Sequence, residues 1–254
     1  MPPLPLFTTA GHAALQATLL ARPVLGLDFD GTLAPIVADP AQAQISVDLG
    51  ALLRTLADRL PIAVISGRSV ADLRGRLPFT PAHLIGNHGA EDAQQGLPAG
   101  IVRMLDALRP LLREEAQAWA RLGVQLEDKG ASIALHYRRS PDPDAARDAL
   151  LRRLSGAARR EDILVQQGKK VINLLPARAP DKAQALRRVV ALHDSDAAIY
   201  VGDDLNDEPV FEQADPQWLT VCVAPGERAT AARFFVATQP DVRVLLERML
   251  VALG

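Results

Sequence analysis

Two aspartates, Asp28 and Asp30, end an apolar run in the stretch LGLDFDGTLAPI, with Phe29 between them and Gly-Thr-Leu directly after. A second apolar run, AAIYVGDD, ends on Asp203 and Asp204, and a third, PIAVIS, ends on Ser66. Carboxylates gathered away from water repel and raise one another's pKa unless a positive charge intervenes. A hard divalent cation meets that need, and Mg2+ suits carboxylate, carbonyl and water oxygens. Gly31, Gly67 and Gly202 allow close approach of backbone, and Lys182, which opens a helix pattern after Pro180 and Asp181, supplies a further positive charge. These residue types predict chemistry on a phosphate group held beside Mg2+.

The elements that must carry them are legible in the pattern. PVLGLD, PIAVIS, HLIGN, AAIYVGDD and LTVCVA are short and apolar throughout, as parallel strands covered on both faces are. Between them run helix-period stretches such as VDLGALLRTLADRL, SVADLRGRL and KAQALRRVVALH, so the fold class is α/β with crossover connections. In such sheets ligands gather at the carboxyl ends of strands, which is where Asp28, Asp30, Ser66, Asp203 and Asp204 fall. The middle of the chain breaks the rhythm. A long helix pattern interrupted at Pro110, two strands joined at Lys129 and Gly130, a second helix and two more strands make an αββαββ unit over residues 97–177. That unit is inserted into a parallel-sheet core formed by residues 1–96 and 178–254.

The chain has 254 residues and 48% hydrophobic content, enough for one large core or two modest ones. A net charge of −2 offers no field to gather nucleic acid or an anionic membrane, and the run Arg152, Arg153, Arg159 and Arg160 reads as a solvated helix face. The single cysteine, Cys222, excludes an internal disulfide and reads as a small buried residue. No segment has the pattern of a signal peptide or the roughly 20 apolar residues of a membrane helix, so a cytoplasmic location is expected, with a monomer favoured. Trp119 and Trp218 read as packing residues, and VQQGKKV lacks the glycine and hydroxyl of a P-loop.

Taken together, DFDGTL, ISGR, the lysine of PDKAQAL and GDDLNDE resemble the four motifs of the haloacid dehalogenase superfamily, in order and spacing. The resemblance implies that Asp28 is the nucleophile, forming an aspartyl-phosphate, and that Asp30 is the acid and then the base. It also implies that Ser66 and Lys182 hold phosphoryl oxygens, with Gly67 and Arg68 of the same ISGR segment at the substrate. Mg2+ would be bound by Asp28, Asp203 and the main-chain carbonyl of Asp30, with Asp204 counted in the metal site. Asp204 and Asp207 would orient metal-bound waters or Lys182, and a helix-capping role for Asp207 stands beside that reading.

More narrowly, GNHGAE, LEDKGASIALHYR, GKKVINLLP and GDDLNDEPVF resemble segments of the trehalose-6-phosphate phosphatase family, whose inserted cap closes over a sugar phosphate. This implies that Asn87 and His88 lie at the mouth of the core, and that Glu127 and Lys129 reach sugar hydroxyls. Arg138 would meet either the phosphate or a nearby hydroxyl. His136 shares a strand face with Ala134 and Arg138, and a structural role is expected of it. The family pattern Glu-x-Arg-Pro is replaced by Asn173, Leu174, Leu175 and Pro176, and the glycine usual after the third-motif lysine is Ala183. Asn173 keeps hydrogen-bonding capacity without charge, which leaves sugar selectivity open. The expected activity is Mg2+-dependent hydrolysis of trehalose 6-phosphate. The alternatives are a phosphatase for another sugar phosphate, of glucosylglycerol or sucrose type, and a non-catalytic sugar-phosphate sensor. The intact pair of Asp28 and Asp30 argues against the sensor.

Overall fold

The computed structural model of the chain describes residues 2–37, 39–155, 162–168, 170–226 and 228–254. Arg159 and Arg160 of the basic run and Lys169 of GKKVINLLP lie outside the described residues, whereas Arg152 and Arg153 are exposed in the last turn of a helix. The chain divides into two compact units, residues 1–94 with 180–254 and residues 95–179. The second unit extends two residues beyond the expected 97–177 at either end.

Strands are numbered along the chain. In the first unit β1 (Leu4–Pro5), β2 (Val24–Leu27), β3 (Ile62–Ile65), β4 (His83–Gly86), β5 (Glu91–Asp92), β10 (Ala198–Gly202), β11 (Leu219–Val223) and β12 (Phe234–Val236) form one sheet in the order β1-β12-β11-β10-β2-β3-β4-β5. Every pairing is parallel except that of β4 with β5. All residues of β2, β3, β4, β10 and β11 are buried, because helices cover both faces.

Alternation along the strands sorts the side chains into two layers. Leu25, Leu27, Ile62, Val64, Ile199 and Val201 pack with helices α1 (Thr9–Leu20), α2 (Val47–Ala57) and α9 (Asp241–Leu253). Val24, Ala63, Ile65 and Tyr200 pack with α7 (Lys182–Leu192) and α8 (Glu208–Glu212). Burying one such aliphatic side chain contributes about 1.5–3 kcal/mol, so the sheet is fixed from both sides. Helix starts follow from capping: Ser46 accepts from the Leu49 N–H at 3.3 Å, and Asp181 from the Gln184 N–H at 2.8 Å. The short helix α3 (Val70–Arg74) is capped by Ser69 in the same way.

The second unit carries α4 (Ala99–Asp106), α5 (Arg109–Arg121) and α6 (Pro143–Arg153) with strands β6 (Gln125–Asp128), β7 (Ile133–His136), β8 (Ile163–Gly168) and β9 (Val171–Pro176). The long helix pattern is two helices, divided next to the expected boundary at Pro110, which lacks the N–H an interior position requires and sits in the first turn of α5. The sheet is antiparallel in the order β6-β7-β9-β8. Ile133, Leu135, Ile172 and Leu174 turn one face toward Leu105, Leu112, Trp119 and Leu150. On the opposite face Glu127, Ala134, Asn173 and Gln166 lie in one row across all four strands.

Trp119, Trp218 and Cys222 are buried. No helix among the described residues is long and apolar enough to cross a membrane.

Candidate functional site

Parallel register brings the ends of β2, β3 and β10 together at one edge of the sheet: Leu27 pairs with both Val64 and Val201. Asp28 follows β2, Ser66 follows β3 and Asp203 follows β10. Asp28, Asp203 and Asp207 each present a carboxylate oxygen within 4.8 Å of the others. Lys182, at the first position of α7, places its ammonium 3.0 Å from Asp28 Oδ1 and 2.7 Å from Asp207 Oδ1. One ammonium against three carboxylates leaves a deficit of positive charge in a buried setting.

The titration of these groups follows from that deficit. Burial pushes Asp28 up to about 8 despite Lys182, with Asp207 and Asp203 adding to the rise. Burial likewise raises Asp203 to about 7, reinforced by Asp207 and Asp204. Burial opposes the charge of Lys182, but Asp207 and Asp28 outweigh it and hold the ammonium above its ordinary range. Lys182 therefore stays charged.

Asp207 differs from its two neighbours in being saturated. Its Oδ1 accepts from Lys182 Nζ and from the Tyr200 hydroxyl, each at 2.7 Å, and its Oδ2 from the N–H groups of Asp203 and Asp204, each at 2.9 Å. Burial, with Asp207 beside it, pushes the Tyr200 phenol well above its ordinary value, so it remains a donor. Asp28, by contrast, takes the Phe29 N–H at 2.7 Å and Lys182 on the same oxygen, and its other oxygen accepts no hydrogen bond among the described residues. Asp203 Oδ1 is a buried atom with no hydrogen-bond partner among the described residues. A buried, bare carboxylate oxygen is costly unless a ligand meets it. The all-oxygen donor set, its excess negative charge and the bare oxygens of Asp28 and Asp203 fit a hard divalent cation. Asp204 is exposed, accepts from Asn206 and caps the turn after β10; it stands outside the cluster.

Gly31 explains how Asp203 reaches this place. Its φ is +77°, and a Cβ there would lie 2.0 Å from Asp203 Oδ2, so only glycine lets the Asp30 loop turn over that carboxylate. Ser66 is buried, and its Oγ accepts from the Arg68 N–H at 3.2 Å, which leaves its own proton to donate. His88 donates its N–H to the Ser66 carbonyl at 2.9 Å, and its ring lies against Gly67, where a Cβ would come within 2.4 Å of the imidazole. Asn87 is buried and donates to Glu91 Oε2 at 2.7 Å, an oxygen that also accepts the Val70 N–H. Arg68 points its guanidinium at Asp30. Tyr200, Glu91, Asp72 and Arg76 are parts of this edge that motif spacing does not reveal. For Tyr200 the available signal is a lone hydroxyl in the apolar run before Asp203 and Asp204.

In the second unit the polar row of the sheet supplies its own group. Glu127 Oε2 lies 2.8 Å from His136 Nε2 and 3.7 Å from Lys129 Nζ. The hydrogen bond from His136, ahead of Lys129, holds the Glu127 carboxyl below its ordinary range. Asn173 stands two strands over in the same row as Glu127. Arg138 is exposed beyond the end of β7, with no hydrogen-bond or ion-pair partner among the described residues. The structure thus brings Glu127, Lys129 and His136 together, with Asn173 on their face and Arg138 outside the group.

The trehalose-phosphatase family profile matches residues 26–240. The trehalose-phosphate phosphatase of Mycobacterium ulcerans (strain Agy99) is 36% identical over 241 residues, covering 90% of this chain and 61% of that protein. The chain thus spans about three fifths of that curated relative. Among solved structures, a trehalose-6-phosphate phosphatase related protein superposes with a TM-score of 0.75 at 27% identity, covering 90% of this chain and 97% of the other. The C-terminal domain of the C. albicans trehalose-6-phosphate phosphatase superposes with a TM-score of 0.78 at 23% identity, over 100% and 98%, a likeness of fold.

Proposed function

Because the chain belongs to the trehalose-phosphatase family, with its haloacid dehalogenase type of fold, we propose that it is a Mg2+-dependent phosphatase acting on trehalose 6-phosphate. The observation that carries this reading is the cluster of Asp28, Asp203 and Asp207, in which Lys182 meets Asp28 and Asp207 while Asp203 Oδ1 has no hydrogen-bond partner among the described residues. Asp28 attacks phosphorus as the bond from phosphorus to the sugar oxygen breaks, and Asp30 gives its proton to that oxygen. Water then attacks the aspartyl-phosphate, returning a proton to Asp30 as the bond to Asp28 breaks. Ser66 and Lys182 donate to the phosphoryl oxygens throughout, since catalysis of phosphoryl transfer rests on positioning and charge. When bound by Asp28, Asp203 and the Asp30 carbonyl, Mg2+ supplies further positive charge to the phosphoryl oxygens.

Residues 95–179 act as the substrate-specificity domain, and Glu127, Lys129 and Asn173 recognise sugar hydroxyls. What supports this is the sheet face that Glu127 and Asn173 share, polar where the other face is core, with the Lys129 ammonium 3.7 Å from Glu127. A second reading has one observation in its favour: Asn173 and Leu175 on that face carry no charge, which suits a broader range of sugar phosphates. Phosphate release from a panel of sugar phosphates, with Mg2+ and with EDTA, tests both. Selective, Mg2+-dependent release from trehalose 6-phosphate is expected. Equal rates across the panel would favour the broader reading, and binding without any release would overturn the enzyme assignment.

A further inference from the structure

Arg68 is expected at the substrate, yet its guanidinium is already engaged. Nε donates to Asp30 Oδ2 at 2.6 Å and Nη2 to Asp30 Oδ1 at 2.7 Å, a two-pronged grip on one carboxylate. Nη2 also donates to the Pro40 carbonyl at 2.8 Å, and Nη1 to Asp72 Oδ2 at 2.7 Å. A guanidinium has five N–H donors, so one remains for anything else. The group lies over the Phe29 ring, 5.3 Å from its centroid, and the side chain is 12% exposed.

Behind it stands a second tier. Asp72 Oδ1 accepts from Arg76 Nε at 2.9 Å, and Arg76 Nη1 donates to the carbonyls of Ala41 and Ala43 at 2.9 and 3.0 Å. Asp72 lies in α3, four residues from each arginine, and the two arginines flank the helix at its two ends. Burial opposes the charge of Asp72, but the hydrogen bonds from Arg76 and Arg68 outweigh it and hold the carboxyl below its ordinary range.

We propose that Arg68, braced by Asp72, is a positioning residue for Asp30 and not a phosphate ligand. This rests on the reading of Asp30 as acid and base. A carboxyl that delivers a proton to one oxygen and takes one from a water must keep the same place through both displacements. A planar fork fixes a carboxylate in distance and in plane, which a lysine's point charge does not. A protonated carboxyl keeps acceptor lone pairs on both oxygens, so the fork survives the proton's arrival and departure. Arg68 itself neither gives nor takes a proton.

The test compares Arg68→Ala, Arg68→Lys and Asp72→Asn with Asp30→Asn, alone and combined, on trehalose 6-phosphate and on p-nitrophenyl phosphate. The nitrophenolate leaves without a proton, so its single-turnover release reports attack by Asp28 without help from Asp30. For Arg68→Ala, kcat on trehalose 6-phosphate should fall about 10- to 100-fold, a part of the roughly 10²- to 10⁴-fold that a general acid–base contributes, with KM changed by less than about threefold. Single-turnover nitrophenolate release should stay within about threefold of wild type. The lysine variant should not rescue, Asp72→Asn should fall by about three- to tenfold in the same pattern, and Arg68→Ala should add nothing to Asp30→Asn. If Arg68→Ala does not fold, the lysine and Asp72 variants carry the same comparison. Equal losses on both esters, rescue by lysine, or losses that multiply with Asp30→Asn would make Arg68 a phosphate ligand and overturn the inference. Unchanged turnover of trehalose 6-phosphate in Asp30→Asn would instead overturn the role given to Asp30.

Discussion

Tyr200 donates its hydroxyl to Asp207 at 2.7 Å, and both side chains are fully buried. With four donors on its two oxygens, Asp207 is fixed in place and holds Lys182, and the tyrosine is one of its props. Tyr200→Phe should therefore lower stability by about 1.5–3 kcal/mol, the range for a hydrogen bond to a charged group. Asp207→Asn breaks a buried ion pair and should cost about 3–5 kcal/mol. Urea unfolding at pH 7 measures both, and midpoints equal to wild type would show that the network does not support the fold.

Asp28→Asn should reduce phosphate release by at least about 10³-fold, a barrier increase of roughly 4 kcal/mol, while the folded state persists. The amide keeps the volume and loses the nucleophile. Turnover within about tenfold of wild type in the purified variant would remove Asp28 from its role.

The cation-free protein should lose stability as pH rises. Asp28 at about 8 and Asp203 at about 7 both lie above their unfolded value of 3.8. Between those limits the folded state holds protons that the unfolded chain releases, so this contribution is greatest below about pH 4 and fades as pH climbs to 8. Mg2+ competes with those protons and should raise Tm more at pH 8 than at pH 5.5. Thermal scans with EDTA and with Mg2+ across that interval decide the point, and a Mg2+ effect independent of pH would contradict it.

On the second unit's sheet, Glu127→Ala and Lys129→Ala should lose one to two orders of magnitude in kcat/KM on trehalose 6-phosphate and little on p-nitrophenyl phosphate. One charged hydrogen bond is worth about 1.5–3 kcal/mol, and only the sugar ester can use it. His136→Ala should follow the same pattern more weakly and add nothing to Glu127→Ala, because its ring acts through that carboxylate. Equal losses on both esters would give these residues a folding role instead.

The long buried strands were readable because parallel strands are apolar on both faces, and their ends located Asp28, Ser66 and Asp203. β1, β5 and β12 were not, since two or three residues carry no period. Chemistry by residue type was legible, whereas partnership was not. Arg68 reads equally well as a ligand for phosphate or for Asp30, and the choice depends on where α3 puts Asp72. His136 is marked by alternation as sharing a face with Ala134, but only the register of β6 against β7 puts its ring on Glu127.

β2, the strand that delivers Asp28, pairs with β3 on one side and β10 on the other, and β10 lies beyond the whole inserted unit in the chain. During synthesis one edge of the strand that carries Asp28 thus stays unpaired until residues near Ile199 emerge. Long-range pairing of this kind is slow, and an open apolar edge invites association with other chains. A chain truncated before β10 would lack Asp203 and Asp207 and leave β2 as an edge strand, and we expect it to bind no cation at this site and to aggregate. The second edge of β2 and the carboxylates beside Asp28 are therefore supplied by the same late segment of the chain.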